Sequence, residues 1–373
     1  MLTLEHIPSD ESTRIENIIR LTKEQLKARY PPPSPAFRGQ HAKDHACVVA
    51  TFKILDSLPA ELRVGVFAQA GHEYEAVIRY SNAAAIVGPD SPVVEGKPTH
   101  GGRGMAVKVT GVSGLPLLPG TGRAVQDFLM VNHPVFPFAN VEDYEAITVV
   151  LGRDGGKPDR FFAERIQKNP DGSPNLTDPV TQRALRTLGI IKRIQSLSLD
   201  DKPPSYEAPP ASPVDCQYFG AAPFLFGDGR AMRFAARPRH RVASDGLSLG
   251  DEKYLRAALH DRLTAPNARP VVFDFALQVR DAGELAGKVE TEIEDASLQW
   301  DAAQHPFVPV ATITIAPQEF ETVERRALCE TLVFTPWNGI EEHRPLGGIN
   351  RLRRAVYEAS VAHRHAPRPA IEG

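Results

Sequence analysis

The chain has 373 residues, of which 42% are hydrophobic and 24% are charged. These proportions are typical of a folded globular protein and exclude a disordered chain. The formal net charge is −3, so no global positive field exists that would hold nucleic acid or an anionic membrane surface.

The first predicted element is an amphipathic helix within residues 1–30. Ser9 or Ser12 can cap this helix, and apolar residues recur at helical spacing from Ile15 to Leu26. Three consecutive prolines at 31–33 end it. Strand-like runs separated by glycine and proline then follow at 46–55, 63–67, 74–80, 104–109 and 125–131.

The second half of the chain begins with two helical patterns, at 141–170 and 178–195. Residues 196–214 are rich in proline and poor in apolar side chains. We interpret this stretch as a surface crossover, with a domain boundary as the alternative. Further strands at 218–226, 231–236, 271–279 and 307–315 precede a final helix at about 349–364.

Two blocks of strands with helices at their ends predict an α+β fold. We expect a closed or nearly closed antiparallel β-barrel with surrounding helices. Residues 1–373 are expected to form one domain, in which residues 1–30 are an N-terminal helix or arm.

The cysteines and the N-terminus indicate the cellular compartment. Cys47, Cys216 and Cys329 are widely spaced and odd in number, which argues against a disulfide scaffold and is typical of a reducing compartment. The N-terminal residues lack the basic start and apolar run of a signal peptide. No stretch approaches the roughly 20 apolar residues that cross a bilayer. We therefore expect a cytoplasmic protein without stable membrane insertion.

The C-terminal helix carries a candidate metal ligand. Arg353 and Tyr357 are four residues apart, and Arg364 follows seven residues later, so the three lie along one helix face. A guanidinium close to a tyrosine favours its phenolate, which is a hard anionic ligand suited to ferric iron. Taken alone, an arginine and a tyrosine at this spacing more often form a stacked packing contact.

Candidate proton-transfer and anion-binding residues lie in the first half of the chain. Arg38 can pair with a carboxylate as a fork, and His41 titrates near neutrality. Arg79 and Ser81 end a predicted strand, and the serine hydroxyl can orient an imidazole. Asn132 and Phe136 follow the strand at 125–131 and add an amide and an aromatic ring. Individually, each more often belongs to ordinary core or turn chemistry than to an active site.

Read in order, these segments resemble the monofunctional haem catalases and their smaller relatives. Catalases carry Arg-Val-Val-His-Ala-Lys, and residues 38–43 match it at the arginine, histidine, alanine and lysine. Residues 79–81 resemble Arg-Phe-Ser, residues 103–108 resemble Arg-Gly-Phe-Ala-x-Lys, and residues 334–336 resemble Phe-Asp-Pro. The spacing of Arg353, Tyr357 and Arg364 is similar to the proximal pattern of that family.

The resemblance implies a single catalase-like haem domain with heme b as cofactor. It implies that Tyr357 ligates the iron, that Arg353 keeps this tyrosine as phenolate, and that His41 moves the peroxide proton. Ser81 would support the imidazole. The remaining residues implied to hold the cofactor or assist catalysis are Arg38, Arg79, Arg364, Phe136 and Asn132.

Two departures from the catalase pattern direct the functional prediction. Catalases place Asn-Asn-Thr-Pro on the distal side, where this chain has Val131-Asn132-His133-Pro134. The assisting asparagine therefore falls on Val131, unless a bulge of one residue brings Asn132 inward. The chain also ends soon after the proximal helix. These differences resemble the short catalase-related group, which includes haem peroxidases and allene oxide synthases.

The resemblance therefore implies a haem-dependent peroxidase that reduces hydrogen peroxide or organic hydroperoxides with an organic electron donor. Two alternative enzymes stay open: a fatty-acid hydroperoxide isomerase or dehydratase, and a small catalase. A haem-binding peroxide sensor is the non-enzymatic alternative. The expected partners are peroxide and a small organic or lipid substrate, and we expect a homo-oligomer, either a dimer or a tetramer.

Overall fold

The structure of the chain is a computed structural model. The structure describes residues 4–31, 36–85, 87–91, 93–94, 97–98, 101–119, 124–153, 158–195, 211–242 and 252–365. Most of the proline-rich stretch interpreted as a crossover, residues 196–210, lies outside the described residues.

Antiparallel strands form the centre of the molecule. The strands of the described residues are β1 Asp44–Ile54, β2 Glu73–Asn82, β3 Val93–Val94, β4 Lys97–Pro98, β5 Arg103–Val112, β6 Ala124–Val131, β7 Tyr218–Phe219, β8 Phe224–Leu225, β9 Arg230–Pro238, β10 Val271–Asp281 and β11 Val308–Ile315. Their hydrogen-bonded order is β10-β11-β1-β2-β5-β6-β7-β9, and β9 pairs with β10 again. This ring of strands closes on itself, which confirms the predicted antiparallel barrel.

The barrel interior is filled by aromatic rings from several strands. Phe128 of β6 lies 4.8 Å from Phe275 of β10 and 5.1 Å from Phe234 of β9, measured between ring centroids. Phe52 of β1 stacks on Phe128 at 5.8 Å. These side chains are fully buried. Because strand residues alternate between the two faces, the residues between them point outward, where they meet the helices.

Helices cover the outside of the barrel. The α-helices of the described residues are α1 Glu11–Arg29, α2 Val141–Arg153, α3 Asp159–Arg165, α4 Pro179–Gln195, α5 Tyr254–Thr264, α6 Ala282–Leu285, α7 Val323–Thr331 and α8 Gly348–Arg364. Ile18 of α1, Val141 of α2 and Leu352 of α8 belong to one apolar cluster. Arg351 of α8 binds Glu11 of α1 at 2.6 Å. This cluster and ion pair hold α1, α2 and α8 together on one side of the barrel.

The structure confirms the first and last predicted helices and corrects several other elements. The predicted cap residues do not cap α1, which begins at Glu11 after Asp10. The single helix predicted at 141–170 is instead two, α2 and α3, and Pro158 precedes the second. The helices α5 and α7 were not predicted. In α7 only Cys329 is buried, so the segment has no apolar stripe that would signal a helix.

Two of the predicted strands also differ from the observed secondary structure. Residues 63–67 form turns with a short 3₁₀ helix, in which Gly65 has a φ of +55° and lies against the His343 ring. The His343 ring also accepts the N–H of Val66 at 3.1 Å. The strand predicted at 218–226 is interrupted between β7 and β8. At the break, Gly220 donates its N–H to the carbonyl of Phe234 at 2.8 Å, and a Cβ on Gly220 would come within 2.5 Å of the Phe234 ring.

Among the described residues, no helix combines the length and the apolar character needed to span a membrane.

Candidate active site

A cavity of about 500 Å³ lies between the barrel wall and helices α1, α2 and α8. This volume is within the range of cofactor and small-molecule sites. All of the residues that were predicted from the sequence to form the site line this cavity. These residues are Arg38, His41, Arg79, Ser81, Asn132, Phe136, Arg353, Tyr357 and Arg364.

Two rows of residues across the barrel wall form one side of the cavity. In the first row, Arg79 of β2 pairs with Ala106 of β5, which pairs with Leu129 of β6. The second row consists of Ser81, Gly104 and Val131 on the same three strands. The strand residues that alternate with these rows, including Tyr80 and Phe128, belong to the barrel core. Strand alternation therefore brings the outward-facing polar groups of β2 to the cavity.

His41 is held against the second row by a hydrogen bond and a close approach. Its Nδ1 lies 3.0 Å from the Ser81 hydroxyl oxygen. A Cβ on Gly104 would come within 2.6 Å of the imidazole Cε1 and 2.8 Å of the Ser81 hydroxyl, so only glycine leaves room for this ring. His41 has a φ of +55°, a left-handed conformation that costs energy in a non-glycine residue and recurs at functional sites.

The surroundings of His41 keep its imidazole neutral. Burial, followed by the charges of Arg79, Arg353 and Arg38, lowers the pKa of His41 to about 3. A neutral imidazole has an unprotonated ring nitrogen at neutral pH. His41 is therefore in the protonation state that a proton acceptor requires.

Tyr357 of α8 lines the same cavity as His41. The Arg353 guanidinium carbon lies 5.6 Å from the centroid of the Tyr357 ring, within the range of a cation–π contact. Arg353 also donates to the Asn350 side-chain oxygen at 3.0 Å. One turn after Tyr357, the Ser360 hydroxyl accepts the N–H of Gly39 at 3.0 Å. This bond links α8 to the loop that carries His41.

Arg38 is anchored mainly to the end of α7. Its Nη2 donates to the carbonyl oxygens of Cys329 at 2.8 Å and Leu332 at 2.9 Å. Its Nη1 donates to the half-exposed Glu330 carboxylate at 3.2 Å. The Arg38 guanidinium was predicted to bind an anionic ligand. Most of its hydrogen bonds are instead donated to acceptors of the protein itself.

Arg79 and Arg364 retain nitrogen atoms that a ligand can use. Arg79 donates through Nη2 to the His41 carbonyl at 3.0 Å, and Arg364 donates to Leu332 at only 3.4 Å. Among the described residues, the buried Nε of Arg79 and the buried Nε and Nη1 of Arg364 have no hydrogen-bond partner. Burial and the charges of Arg79 and Arg364 lower the pKa of Arg38 to about 10. This cluster therefore has an excess of buried positive charge and suits an anionic ligand.

Asn132 lines the cavity, but its side chain is bound to the backbone of β5. Its side-chain oxygen accepts the N–H of Arg103 at 2.7 Å, and its amide nitrogen donates to Gly101 at 3.4 Å. Val131 occupies the cavity-facing row with Ser81. The geometry thus favours a structural role for Asn132 over the catalytic role that the sequence suggested.

Replacing Asn132 with Ala is expected to lower the free energy of unfolding by about 1–3 kcal/mol, because the buried Arg103 N–H would lose its acceptor. Denaturant unfolding of the variant and the native chain measures this difference. Gln40→Ala, in the exposed part of the cavity loop, is the control and should change stability by less than about 0.5 kcal/mol. Equal stability of Asn132→Ala and the native chain would contradict the structural role.

Three residues with a place in the site were not identified from the sequence. Gly104 allows the close approach of His41, and glycine inside a strand is itself a signal of such an approach. Ser360 lies three residues after Tyr357 and so shares its helix face. Tyr144 of α2 lines the cavity, and burial raises its pKa to about 12. No local pattern distinguishes Tyr144 from other aromatic residues of α2.

Solved catalase structures share this fold. A fungal catalase matches 91% of the chain with a TM-score of 0.63 and 15% identity. A bacterial catalase matches 93% with a TM-score of 0.59 and 14% identity. Catalase A from Saccharomyces cerevisiae matches 91% with a TM-score of 0.59 and 15% identity. These matches cover 62%, 60% and 63% of the respective catalases, so the chain spans about three fifths of their length.

No protein-family model matches the chain, and no curated protein matches it in sequence. At 14–15% identity, the likeness to catalases establishes the fold. The chemistry of the cavity depends on the residues that line it.

Proposed function

We propose that this chain is a haem-binding enzyme that reduces peroxide with electrons from an organic donor. One observation carries the proposal: Tyr357, the His41–Ser81 pair and a cluster of arginines with unpartnered buried nitrogens line the same cavity. Within a catalase-like barrel, these are the groups that a haem-dependent peroxide reaction requires.

The residues of the cavity fit a haem group. Tyr357 would provide the oxygen ligand of the iron, with the Arg353 guanidinium lying over its ring. The unpartnered nitrogens of Arg79 and Arg364 suit the two propionate carboxylates, since within the described part of the chain these buried atoms have no hydrogen-bond partner. Phe136 would pack against the macrocycle. When bound, haem supplies the redox chemistry by which the peroxide O–O bond is broken.

His41 is the residue that moves the peroxide proton. Its neutral imidazole can accept the proton of a hydroperoxide and return it to the oxygen that leaves. The Ser81 hydroxyl and the surface of Gly104 restrain the orientation of the ring. Because this orientation is already set before substrate enters, little reorganisation is needed for proton transfer.

The cavity wall favours peroxidase over catalase chemistry. A catalase must position a second hydrogen peroxide molecule as the reductant. Val131 stands in the cavity-facing row and offers no hydrogen bond to such a molecule. Asn132, the nearest amide in sequence, is engaged with Arg103 and Gly101. An organic donor is therefore the better reductant for this site.

We expect oxidation of a phenolic dye to exceed oxygen release when the haem-loaded chain is mixed with hydrogen peroxide. Spectroscopy of the dye and an oxygen electrode measure both rates on the same preparation. Val131→Asn restores an amide at the wall and should raise oxygen release about two- to ten-fold, the equivalent of one hydrogen bond.

Vigorous oxygen release with little dye oxidation would contradict the peroxidase proposal and support a small catalase. Haem binding with neither activity would support a peroxide sensor without turnover. Unchanged oxygen release in Val131→Asn would show that the missing amide at Val131 is not what disfavours catalase chemistry.

A second candidate, isomerisation or dehydration of a fatty-acid hydroperoxide, is favoured by the apolar end of the cavity. Leu26 of α1, Ile147 and Leu151 of α2 and Phe138 line it. A lipid hydroperoxide offered without an electron donor distinguishes the two reactions. A peroxidase leaves the lipid unconverted or yields its alcohol only when a donor is added, whereas an isomerase or dehydratase releases a rearranged or dehydrated product.

A further inference from the structure

We propose that Arg29 binds the carboxylate of the organic electron donor, so that the donor is an apolar organic acid. Arg29 stands in the last turn of α1 and lines the candidate active-site cavity. The inference rests on the proposed peroxidase function for the role of this acid as electron donor. The binding of the acid at Arg29 does not depend on turnover and can be measured without it.

The charges that line the cavity are unbalanced. Five arginines line it, whereas none of its lining residues in the described part of the chain is Asp or Glu. Four of the arginines lie at the proposed haem site or pair with a carboxylate outside the cavity, namely Arg38, Arg79, Arg353 and Arg364. Arg29 is the fifth, and it is a cation for which haem and the protein provide no assigned anion.

The guanidinium of Arg29 is half-buried and touches only uncharged groups among the described residues. Its Nη1 donates to the Ala85 carbonyl at 3.1 Å, and its central carbon lies 6.0 Å from the centroid of the Tyr30 ring. The bond to Ala85 uses Nη1 alone, so the edge formed by Nε and Nη2 can donate to both oxygens of a carboxylate. A single guanidinium matches the single charge of such a group.

Arg29 lies close to the loop that carries His41. Ala85, which accepts from Arg29, follows Ser81 by four residues, so their Cα atoms are at most about 14 Å apart. Between them, Ala84 accepts the backbone N–H of the residue after His41 at 3.3 Å. One organic molecule can therefore contact Arg29 and extend toward the proton-transfer pair.

The cavity wall next to Arg29 is apolar and built mainly from small residues. Ala83, Ala85, Gly102 and Ile194 line it. A Cβ on Gly102 would come within 2.9 Å of Ala83 and 3.8 Å of Ile194, so these three residues are in close contact. A ligand on this wall meets apolar surface with the Arg29 cation at its edge. Sites of this kind take an apolar body whose polar group fixes the orientation.

The test compares two donors that share one phenol, para-hydroxyphenylpropionate and its methyl ester. Isothermal calorimetry measures their binding to the full chain, with and without haem, before any peroxide is added. We expect the acid to bind at least about ten-fold more tightly than the ester, because the ester lacks the charge-assisted hydrogen bonds. Added salt should weaken binding of the acid alone.

Two variants of Arg29 and one control locate the effect. Arg29→Gln should remove the preference for the acid without changing the affinity for the ester. Arg29→Lys should retain part of the preference, because lysine keeps the charge and loses the fork. Lys27→Gln is the matched control, since Lys27 stands exposed in the same turn of α1 and does not line the cavity. Haem affinity should be the same in all three variants.

Equal binding of acid and ester to the native chain would overturn the proposal, as would a preference for the acid that persists in Arg29→Gln. An equal loss in Lys27→Gln would show an effect of net charge and contradict a specific site. Weaker haem binding in Arg29→Gln would assign Arg29 to the cofactor instead. Failure of the peroxidase proposal has a different signature: the acid binds through Arg29, but peroxide does not oxidise it.

Discussion

Replacing Tyr357 with Phe is expected to weaken haem binding by more than about a hundred-fold. Loss of a group that only supports a metal ligand typically costs 10- to 100-fold in affinity, so loss of the ligand itself should cost more. Phenylalanine keeps the ring that Arg353 contacts at 5.6 Å and removes only the oxygen. Titration of the purified chain with haem, followed by the visible absorption spectrum, measures the effect.

Tyr144→Phe is the matched control for this experiment. Tyr144 lines the same cavity, and its ring is 6.0 Å from that of Phe136. Removing its hydroxyl should leave the haem spectrum and the affinity unchanged if the effect at Tyr357 is specific. A Tyr357→Phe chain that retains the native spectrum and affinity would rule out Tyr357 as the iron ligand and, with it, the proposed arrangement of the site.

Replacing His41 with Ala is expected to lower the rate of peroxide turnover by about 10²- to 10⁴-fold, the range typical of a lost general base. Haem binding should persist, because His41 is not the proposed iron ligand. Ser81→Ala should have a smaller effect, about ten-fold or less, since Ser81 acts only by orienting the imidazole through one hydrogen bond. Stopped-flow measurement of the first reaction with peroxide gives these rates.

His260→Ala is the control for a general effect of removing a histidine. His260 lies on α5 and binds Glu319 at the surface, away from the cavity. This variant should react at the native rate. If His41→Ala reacts as fast as the native chain, then His41 does not carry the proton.

The pH dependence of turnover tests the same assignment of His41. Its pKa is lowered to about 3, mainly by burial. A base loses activity as the pH falls through its own pKa, so turnover should stay nearly constant from pH 8 to pH 5. A histidine at its ordinary pKa of about 6.5 would instead lose about ten-fold by pH 5.5. Anionic ligands can offset the arginine charges, but burial remains.

The sequence by itself determined those features that depend on local periodicity. The helical spacing of Arg353, Tyr357 and Arg364 places them on one face, whatever the rest of the chain does. Likewise, strand alternation places Arg79 and Ser81 on the same face of β2. Glycine and proline between β-branched runs were sufficient to predict a barrel of antiparallel strands. These are short-range properties, and most of them were recovered in the structure.

Only the tertiary structure decided which of these residues meet. Ser81 reaches His41 across 40 positions of the chain, and the approach requires Gly104 from a third strand. The sequence left Val131 and Asn132 open, because a bulge of one residue exchanges which side chain faces the cavity. The structure places Val131 in the cavity row and binds Asn132 to the backbone of β5.

The helices α5 and α7 were not predicted from the sequence for the same physical reason. Helix α7 buries only Cys329 and depends on packing against distant elements such as β1. The sequence likewise offered Arg38 as a free anion-binding fork, whereas it is anchored to the carbonyls at the end of α7. Spacing along the chain encodes the faces of helices and strands. The partners of those faces depend on how the elements pack, and neither of these contacts involves residues close in sequence.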